Sequence, residues 1–446
     1  MSAVNKERKA LFALALPMIL SNITIPLLGL VDTGVIGHLP EAYYLGASAV
    51  GAMLISVITW FCGFLRMSTT GLAAQAYGKQ ASQDAFSVLT RGLVVAIVIG
   101  LLFILLQNVY IDAGLWLSGA SEQVLTYTRQ YSEIRIWGLP AALANLVILG
   151  WLLGMHQAKK AMWLLIITNL INLLLDLLFV IGFDLKIAGV AYATLIAEYS
   201  CFTIGMWMVA NSLKIHSKQL LINIKLHCKE AMNKSSLIPY LKLNSDIVIR
   251  TLCLEACFVF ITFQGARLGD TVVAANAILL NFLLLISFGL DGIAYGAEAR
   301  VGKAKGENNI EAMQLSVQVA NRYNLVFAIL YSFIFYLFGH FFVELLTDID
   351  AIITITHEFM PWIVILPIIA CWCYLYDGIY IGLTEGRIMR NSMLVSTCLV
   401  FFPCWFIFSH WGNHGIWLAF CLFMASRGIT LYWHYHYRFI PKHREP

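Results

Sequence analysis

The sequence predicts an all-α membrane protein with twelve transmembrane helices in two pseudo-symmetric six-helix lobes around a central cleft. Three observations lead to this prediction. Of the 446 residues, 60% are hydrophobic and only 12% are charged, whereas soluble domains carry about 25% charged residues. The chain contains twelve apolar runs that are long enough to cross a bilayer, which takes about 20 residues each. The two halves of the chain also resemble each other in sequence.

The first apolar run begins near Ala10 and continues to Gly37 without a small-residue cleavage site, so it is predicted to be a retained span and not a signal peptide. The other spans of the first half are predicted near 45–74, 88–111, 124–151, 162–182 and 188–211. Those of the second half are predicted near 241–265, 274–299, 314–339, 354–381, 390–409 and 414–436. A polar, lysine-rich stretch separates the halves. We therefore predict an N-lobe over 1–211, a cytoplasmic linker over 212–240 and a C-lobe over 241–446.

The basic residues of the loops predict the orientation, because cytoplasmic loops carry an excess of Lys and Arg. If the N-terminus is cytoplasmic, the inner loops hold Lys6, Arg8, Lys9, Lys79, Arg91, Lys159, Lys160, the lysines of 212–242, Lys303, Lys305, Arg387, Arg390, Arg438, Lys442 and Arg444. The outer loops hold little beyond Arg129, Lys186 and Arg267. Both termini are therefore predicted to face the cytoplasm.

Two pairs of segments relate the halves to each other. "LGASAV" at 45–50 corresponds to "VAANAI" at 273–278, and "AQAYGK" at 74–79 corresponds to "EARVGK" at 298–303. Six spans in each half give both halves the same orientation, and such parallel repeats are typical of secondary transporters with a site between the lobes. No nucleotide-binding P-loop accompanies the repeat.

Polar residues gather at one depth in the first lobe. Asp32, Asp176 and Thr194 each lie about five or six residues from the outer end of their spans, roughly 8–9 Å below the boundary. Asn172 is one turn deeper than Asp176 on the same helix face, and Asn169 is a further turn along. Because carboxylate, amide and hydroxyl oxygens accept a proton or a small cation, we predict a cation-coupling site here. The alternative, unrelated polar residues that are each satisfied by their own neighbours, stays open.

A candidate gate comes from the repeat. When Gly78 is aligned with Gly302, Arg66 falls within one residue of the position equivalent to Asp291. Opposite charges at equivalent inner positions would form an ion pair that closes the cytoplasmic side. Local partners for each charge are the alternative.

Two further features are candidates for function. Pro17 and Pro26 lie inside the first span, where a missing backbone hydrogen bond permits the helix to bend; a fixed kink is the alternative. Glu255 and Asp377 are a candidate second cation site in the C-lobe, although their predicted depths differ.

Several functions are disfavoured. The ten cysteines have neither disulfide nor zinc spacing, and the net charge of +4 is not clustered, so no metal, no other cofactor and no nucleic-acid partner is expected. An intramembrane aspartyl protease would need a G-x-G-D partner for Tyr376–Asp377, and "RLGD" at 267–270 lacks the first glycine. No enzyme activity is therefore predicted. A channel would need a continuous polar lining, for which there is no sign.

A lipid-linked precursor flippase is the main alternative. Such a protein would hold phosphates with several cationic residues in its cavity. The only arginines within the predicted spans that would serve are Arg66, Arg135, Arg250, Arg322 and Arg427. This small number disfavours the alternative.

Long motifs resemble one family of transporters. "ALPMILSNITIPLLGLVDTGVIGHL", "RMSTTGLAAQAYG", "LDGIAYGAEA", "MRNSM" and "GNHGIWLAF" closely resemble the multidrug and toxic compound extrusion (MATE) family, most of all its bacterial DNA-damage-inducible F (DinF) branch. The resemblance covers nearly the whole chain. It implies a multi-pass protein of the bacterial inner membrane, expected to act as a monomer. It also implies export of organic, often cationic and amphipathic compounds in exchange for H⁺ or Na⁺.

The resemblance also implies roles for single residues. Asp32 matches the first-helix carboxylate that couples transport to the cation, and Pro17 matches the proline where that helix bends. The remaining matches to the amino-lobe cation network are Asn172, Asp176 and Thr194. The matches to polar residues that contact this network or line the drug cavity are Tyr131 and Asn145, and Asn169 extends that set. Glu255 and Asp377 lie on the helices that carry a carboxylate pair in sodium-type members. The DinF-like motifs and the intact amino-lobe cluster disfavour that second arrangement. H⁺ is the expected coupling ion, and Na⁺ stays the alternative.

Overall fold

The computed structural model describes residues 3–37, 41, 43–215, 222–224, 228 and 233–444, apart from the side chains of 23, 25–35, 37, 443 and 444. All regular secondary structure in these ranges is helical. Apolar residues dominate the chain, and inside a bilayer a helix satisfies each backbone N–H and C=O group within its own segment. The predicted all-α membrane protein is confirmed.

The helices of the first half are α1 (Ala3–Gly37), α2 (Tyr43–Phe61), α3 (Phe64–Gly78), α4 (Ser82–Leu105), α5 (Gln107–Ser118), α6 (Glu122–Arg135), α7 (Leu139–Gly154), α8 (Ala158–Asp176) and α9 (Lys186–Ser212). Those of the second half are α10 (Lys234–Leu268), α11 (Asp270–Gly306), α12 (Ile310–Leu346), α13 (Asp350–Gly382), α14 (Gly386–Val395), α15 (Phe402–Phe408), α16 (Asn413–His434) and α17 (Ile440–Arg444). Short 3₁₀ segments (Ile136–Gly138 and Ser409–Trp411) and π segments (Leu177–Gly182, Ser396–Phe401 and Tyr435–Phe439) join some of them.

The helices match the predicted spans closely. Within the described ranges, ten helical stretches are long and apolar enough to cross a bilayer. The other two predicted spans, 10–37 and 241–265, lie on α1 and α10, which have 35 residues each. Two of the predicted spans are divided by short turns. The span near 45–74 is divided between α2, which ends at Phe61, and α3, which begins at Phe64, and the span near 88–111 is divided between α4 and α5.

The chain forms two compact units. The N-terminal unit contains 20–241, and the C-terminal unit contains 242–446 together with 1–19. The boundary between the units at 241–242 lies next to the predicted linker, and a second boundary, at 19–20, lies inside α1. The predicted N-lobe of 1–211 included the first nineteen residues, whereas the structure groups them with the C-terminal unit.

Contacts of the first part of α1 explain this difference. Glu7 pairs with Arg300 of α11 and accepts a hydrogen bond from Ser316 of α12 at 2.6 Å. Gly292 of α11 lies so close to Ile19 that an added Cβ would be 2.1 Å from the Ile19 side chain. An ion pair and close packing thus bind these residues to the C-terminal unit.

The backbone of the two units repeats at a fixed interval. Six of the ten described residues with positive φ form three pairs that are 228 positions apart (308 − 80, 384 − 156 and 412 − 184). The pairs are Gln80 with Asn308, His156 with Thr384, and Asp184 with Gly412. Positive φ is uncommon outside glycine. Its recurrence at one interval indicates that the two units are structural repeats with equivalent turns.

Close helix contacts repeat at the same interval. A Cβ added at Gly150 would lie 2.5 Å from the carbonyl oxygen of Arg66, and one at Gly378 would lie 2.7 Å from that of Ala294. The structure therefore makes Arg66 equivalent to Ala294, three positions from Asp291. The predicted alignment was wrong by four residues, because α11 continues past Gly302 and ends at Gly306.

Candidate functional site

Three of the predicted cation-site residues meet in the N-terminal unit. Asn172 Nδ2 donates to Asp176 Oδ2 at 3.0 Å and to Thr194 Oγ1 at 3.5 Å. The spacing of four residues on α8 brings Asn172 and Asp176 to one helix face, and α8 packs against α9, which carries Thr194. Asn172 is 1% exposed and Asp176 is fully buried. We call these three residues the α8–α9 cluster.

The α8–α9 cluster has acceptor oxygens to offer. Thr194 donates its own proton to the carbonyl oxygen of Val190 at 3.0 Å, so its oxygen can accept from Asn172. Asn172 Oδ1 is buried and has no hydrogen-bond partner among the described residues. Directly after Asp176 the helix changes to a π segment, Leu177–Gly182, and such segments are frequent at functional sites.

The cluster is connected to α1 through a neighbouring amide. Asn169 Nδ2 donates to Thr24 Oγ1 of α1 at 2.9 Å. Pro17 is buried, and α1 is one continuous helix across it. The side chains of Asp32 and Pro26 lie outside the described residues, although the backbone of α1 includes both. Their predicted roles in coupling and bending stay predictions.

The two predicted cavity residues are buried in the same unit. The ring of Tyr131 on α6 lies directly over Gly51 of α2, where an added Cβ would be 2.4 Å away. Asn145 on α7 donates from Nδ2 to the backbone carbonyl of Glu198 at 2.9 Å. Tyr131 is 5% exposed and Asn145 is 7% exposed.

The structure adds an ion pair that sequence reasoning missed. Arg135 Nη2 on α6 lies 2.9 Å from Glu198 Oε1 on α9. Glu198 is one helical turn beyond Thr194, so both residues lie on one face of α9. That spacing was visible in the sequence. The pairing with Arg135 was not, because it depends on how α6 packs against α9.

The C-terminal unit holds a different arrangement of charges. Asp377 Oδ2 on α13 accepts from Arg250 of α10 and from Arg427 of α16, each at 2.5 Å. All three side chains are buried. Two guanidinium groups thus occupy the carboxylate that was predicted to form a second cation site with Glu255. That second site stays a prediction, and this pairing counts against it.

The residues of the predicted gate belong to different units. Arg66 lies on α3 in the N-terminal unit, and Asp291 lies on α11 in the C-terminal unit. The repeat no longer supports their pairing, because Arg66 is equivalent to Ala294. The gate therefore stays a prediction that rests on charge alone.

Comparisons with known proteins agree with this fold. The MatE family model matches twice, over 17–178 and 247–406, once in each half of the chain. DNA damage-inducible protein F of Escherichia coli is 42% identical over 98% of this chain and 94% of its own length. The multidrug resistance protein NorM of Vibrio vulnificus is 22% identical over 97% of each chain.

A solved structure shows the same fold. A MOP superfamily transporter from Pyrococcus furiosus superposes with a TM-score of 0.87 over 99% of this chain and 97% of that chain, at 18% identity. The family match spans most of the chain, and the E. coli relative is similar over nearly its full length. The chain is therefore a transporter and not an enzyme, a member of the MATE family of multidrug and toxic compound efflux proteins in its DinF-like branch.

Proposed function

We propose that this protein is a proton-coupled antiporter that exports organic, often cationic and amphipathic compounds by alternating access. The α8–α9 cluster carries the proposal: it places a fully buried carboxylate, Asp176, against an amide and a hydroxyl inside membrane-spanning helices. A buried carboxylate in a membrane is costly and marks ion or proton pathways. Sodium is the alternative coupling ion, because the same oxygens suit it.

Register on two helices supports a role for Asp32 in the same site. α1 touches α8 where Thr24 meets Asn169. Both helices are predicted to run from the inner to the outer side of the membrane. About two turns beyond the contact, α1 reaches Asp32 and α8 reaches Asp176. Two carboxylates at one level would hold a proton or a small cation between them.

The coupling mechanism follows from opposite preferences for two states. With its carboxylates charged, the site favours a hydrated cavity with room for a cationic compound. When a proton or cation arrives from outside, it neutralises the carboxylates, and the cavity no longer favours water. The first helix then bends at Pro17 or Pro26 and crowds the compound out, with Tyr131 and Asn145 lining the path. Drug and coupling ion thus exclude each other, as antiport requires.

Other properties are proposed with this function. The E. coli and Vibrio relatives favour a bacterial inner membrane, and the loop charges favour two cytoplasmic termini. The monomer is proposed from the family resemblance. The flippase alternative is disfavoured because Arg135 pairs with Glu198, and Arg250 and Arg427 both pair with Asp377. Few cationic side chains are then left to bind phosphates.

Reconstitution tests the proposed function directly. Purified protein in liposomes is loaded with rhodamine 6G, and dye movement is followed under an imposed pH gradient and, separately, a sodium gradient. Movement driven by the pH gradient is expected. Movement driven only by sodium would replace H⁺ with Na⁺, and movement that neither gradient changes would contradict cation coupling.

The gate can be tested by exchanging its charges. If Arg66 and Asp291 close the cytoplasmic side, Arg66→Asp or Asp291→Arg alone should weaken coupled efflux, because like charges repel across the closed state. The double exchange should restore part of the rate. A double variant no better than the worse single variant would end the gate hypothesis.

A further inference from the structure

A buried ion pair lies at the middle of the N-terminal unit. Glu198 is about 18 Å along α9 from its start at Lys186, near the centre of a span. Its partner Arg135 has a side chain that is 9% exposed, and the Glu198 side chain is 17% exposed. Ion pairs at this depth are costly and are a sign of function.

Gly138 leaves room for the carboxylate of Glu198. A Cβ added at Gly138 would lie 2.1 Å from Glu198 Oε2, so only glycine leaves room for the carboxylate. Arg135 interacts with Tyr131 as well as with Glu198. Three other polar atoms there are buried and have no hydrogen-bond partner in the described part of the chain: Glu198 Oε2, Asn145 Oδ1 and Ser132 Oγ. Most buried polar groups in proteins are satisfied. Unused donors and acceptors around one ion pair indicate a role beyond holding two helices together.

The pair adjoins both parts of the proposed transport site. Glu198 follows Thr194 of the α8–α9 cluster by one turn of α9. Arg135 follows Tyr131 by one turn of α6, and Asn145 donates to the backbone of Glu198. Tyr131 on α6 is an ionisable neighbour of Arg135, and Tyr199 and Cys201 on α9 are ionisable neighbours of Glu198. A change in the charge of the pair would therefore act on the site where drug and cation bind.

We propose that the Arg135–Glu198 pair sets the charge preference of the substrate site in the N-terminal unit. The inference rests on the proposed export of organic cations. Paired, the two charges cancel, and the negative charge of the α8–α9 cluster attracts cationic compounds. Without Glu198, the positive charge of Arg135 opposes that attraction. A unit charge about 12 Å away, at an effective dielectric constant of about 20, changes the affinity for a monovalent ligand about tenfold.

Two dyes of similar shape measure this preference. Rhodamine 6G is a cation, and rhodamine B is a zwitterion at neutral pH. Fluorescence polarisation gives the ratio of their affinities for purified protein at one pH. Glu198→Gln keeps the size of the side chain and should lower the preference for rhodamine 6G about tenfold. Adding Arg135→Met should restore the preference, whereas adding Arg135→Lys should not, because lysine keeps the charge.

The comparison of the two double variants separates charge from structure. It also stands if Glu198→Gln alone does not fold. Asp112→Asn is the matched control, because Asp112 pairs with Arg129 of α6 at 2.6 Å but both side chains are exposed; its preference should equal that of wild type. An equal loss of both dyes in Glu198→Gln, or equal preferences in the two double variants, would overturn the inference alone. Wild-type protein that binds neither dye would overturn the proposed function and the inference with it.

Discussion

Asp176→Asn is expected to give a folded protein that no longer couples dye movement to a cation gradient. The asparagine is nearly the same size as the aspartate and still accepts from Asn172, which donates at 3.0 Å in the wild type. It removes the charge that would attract a proton. Coupling free energies of about 1–3 kcal/mol correspond to factors of about 5–150, so gradient-driven efflux from liposomes should fall by about tenfold or more.

The control for this variant is a substitution at an exposed carboxylate in the same unit. Asp112→Asn removes one charge from an exposed pair with Arg129, and its efflux should match that of wild type. Membrane yield and thermal unfolding of both variants should also match. If Asp176→Asn kept a gradient-driven rate close to that of wild type, Asp176 would be a structural residue and the α8–α9 cluster would not be the coupling site.

Asp377→Ala is expected to destabilise the C-terminal unit strongly. One carboxylate oxygen accepts from two guanidinium groups, each at 2.5 Å, and Arg427 is only 2% exposed. Removing Asp377 leaves two buried positive charges unbalanced. Breaking a buried ion pair costs about 3–5 kcal/mol, so the unfolding temperature of the purified protein should fall markedly. Arg250→Met should cost less, because Arg427 still pairs with Asp377.

A partly exposed ion pair in the same unit provides the comparison for Asp377→Ala. Glu307 directly follows α11, and its Oε1 lies 3.5 Å from Nζ of Lys303 on that helix; both side chains are partly exposed. Such pairs contribute about 0–1 kcal/mol, so Glu307→Ala should unfold close to the wild-type temperature. Should Asp377→Ala behave like Glu307→Ala, or should Arg250→Met be the more damaging change, the view of Asp377 as the shared partner of two arginines would be wrong.

The order of the helices could be predicted because bilayer-spanning runs are long and apolar. The repeat was also visible, but the two matched pairs of segments gave different registers: 45–50 with 273–278 has the interval of 228 that the backbone shows, and 74–79 with 298–303 does not. Two Gly–Lys dipeptides, at Gly78 and Gly302, suggested an alignment that the backbone corrects by four residues. The signal that fixes the register is the turn after the helix, where Gln80 and Asn308 both have positive φ. Such a turn leaves little trace in sequence, because several residue types tolerate it.

In the candidate site, too, some contacts could be predicted from the sequence and others could not. Asn172 and Asp176 could be placed together from their spacing on one helix, and their hydrogen bond is present at 3.0 Å. Asp377 was a candidate cation ligand because it is acidic and lies on a helix that carries a carboxylate in sodium-type members of the family. Its partners Arg250 and Arg427 are 127 and 50 residues away in sequence. Contacts between distant helices depend on tertiary packing, which no local pattern in the sequence records.

The dependence of dye affinity on pH in Asp32→Asn tests the central claim most directly. The claim is that drug and coupling ion exclude each other through the carboxylates of the first and fifth spans. Wild-type protein should bind rhodamine 6G more weakly at pH 6 than at pH 8, because protons from the medium neutralise the site and expel the dye. Asp32→Asn should fold, reach the membrane and bind the dye with an affinity that changes much less with pH than that of wild type, because only Asp176 is left to take up a proton. If Asp32→Asn lost dye on acidification to the same extent as wild type, the carboxylate of Asp32 would have no part in coupling, and the mechanism proposed for this transporter would be contradicted.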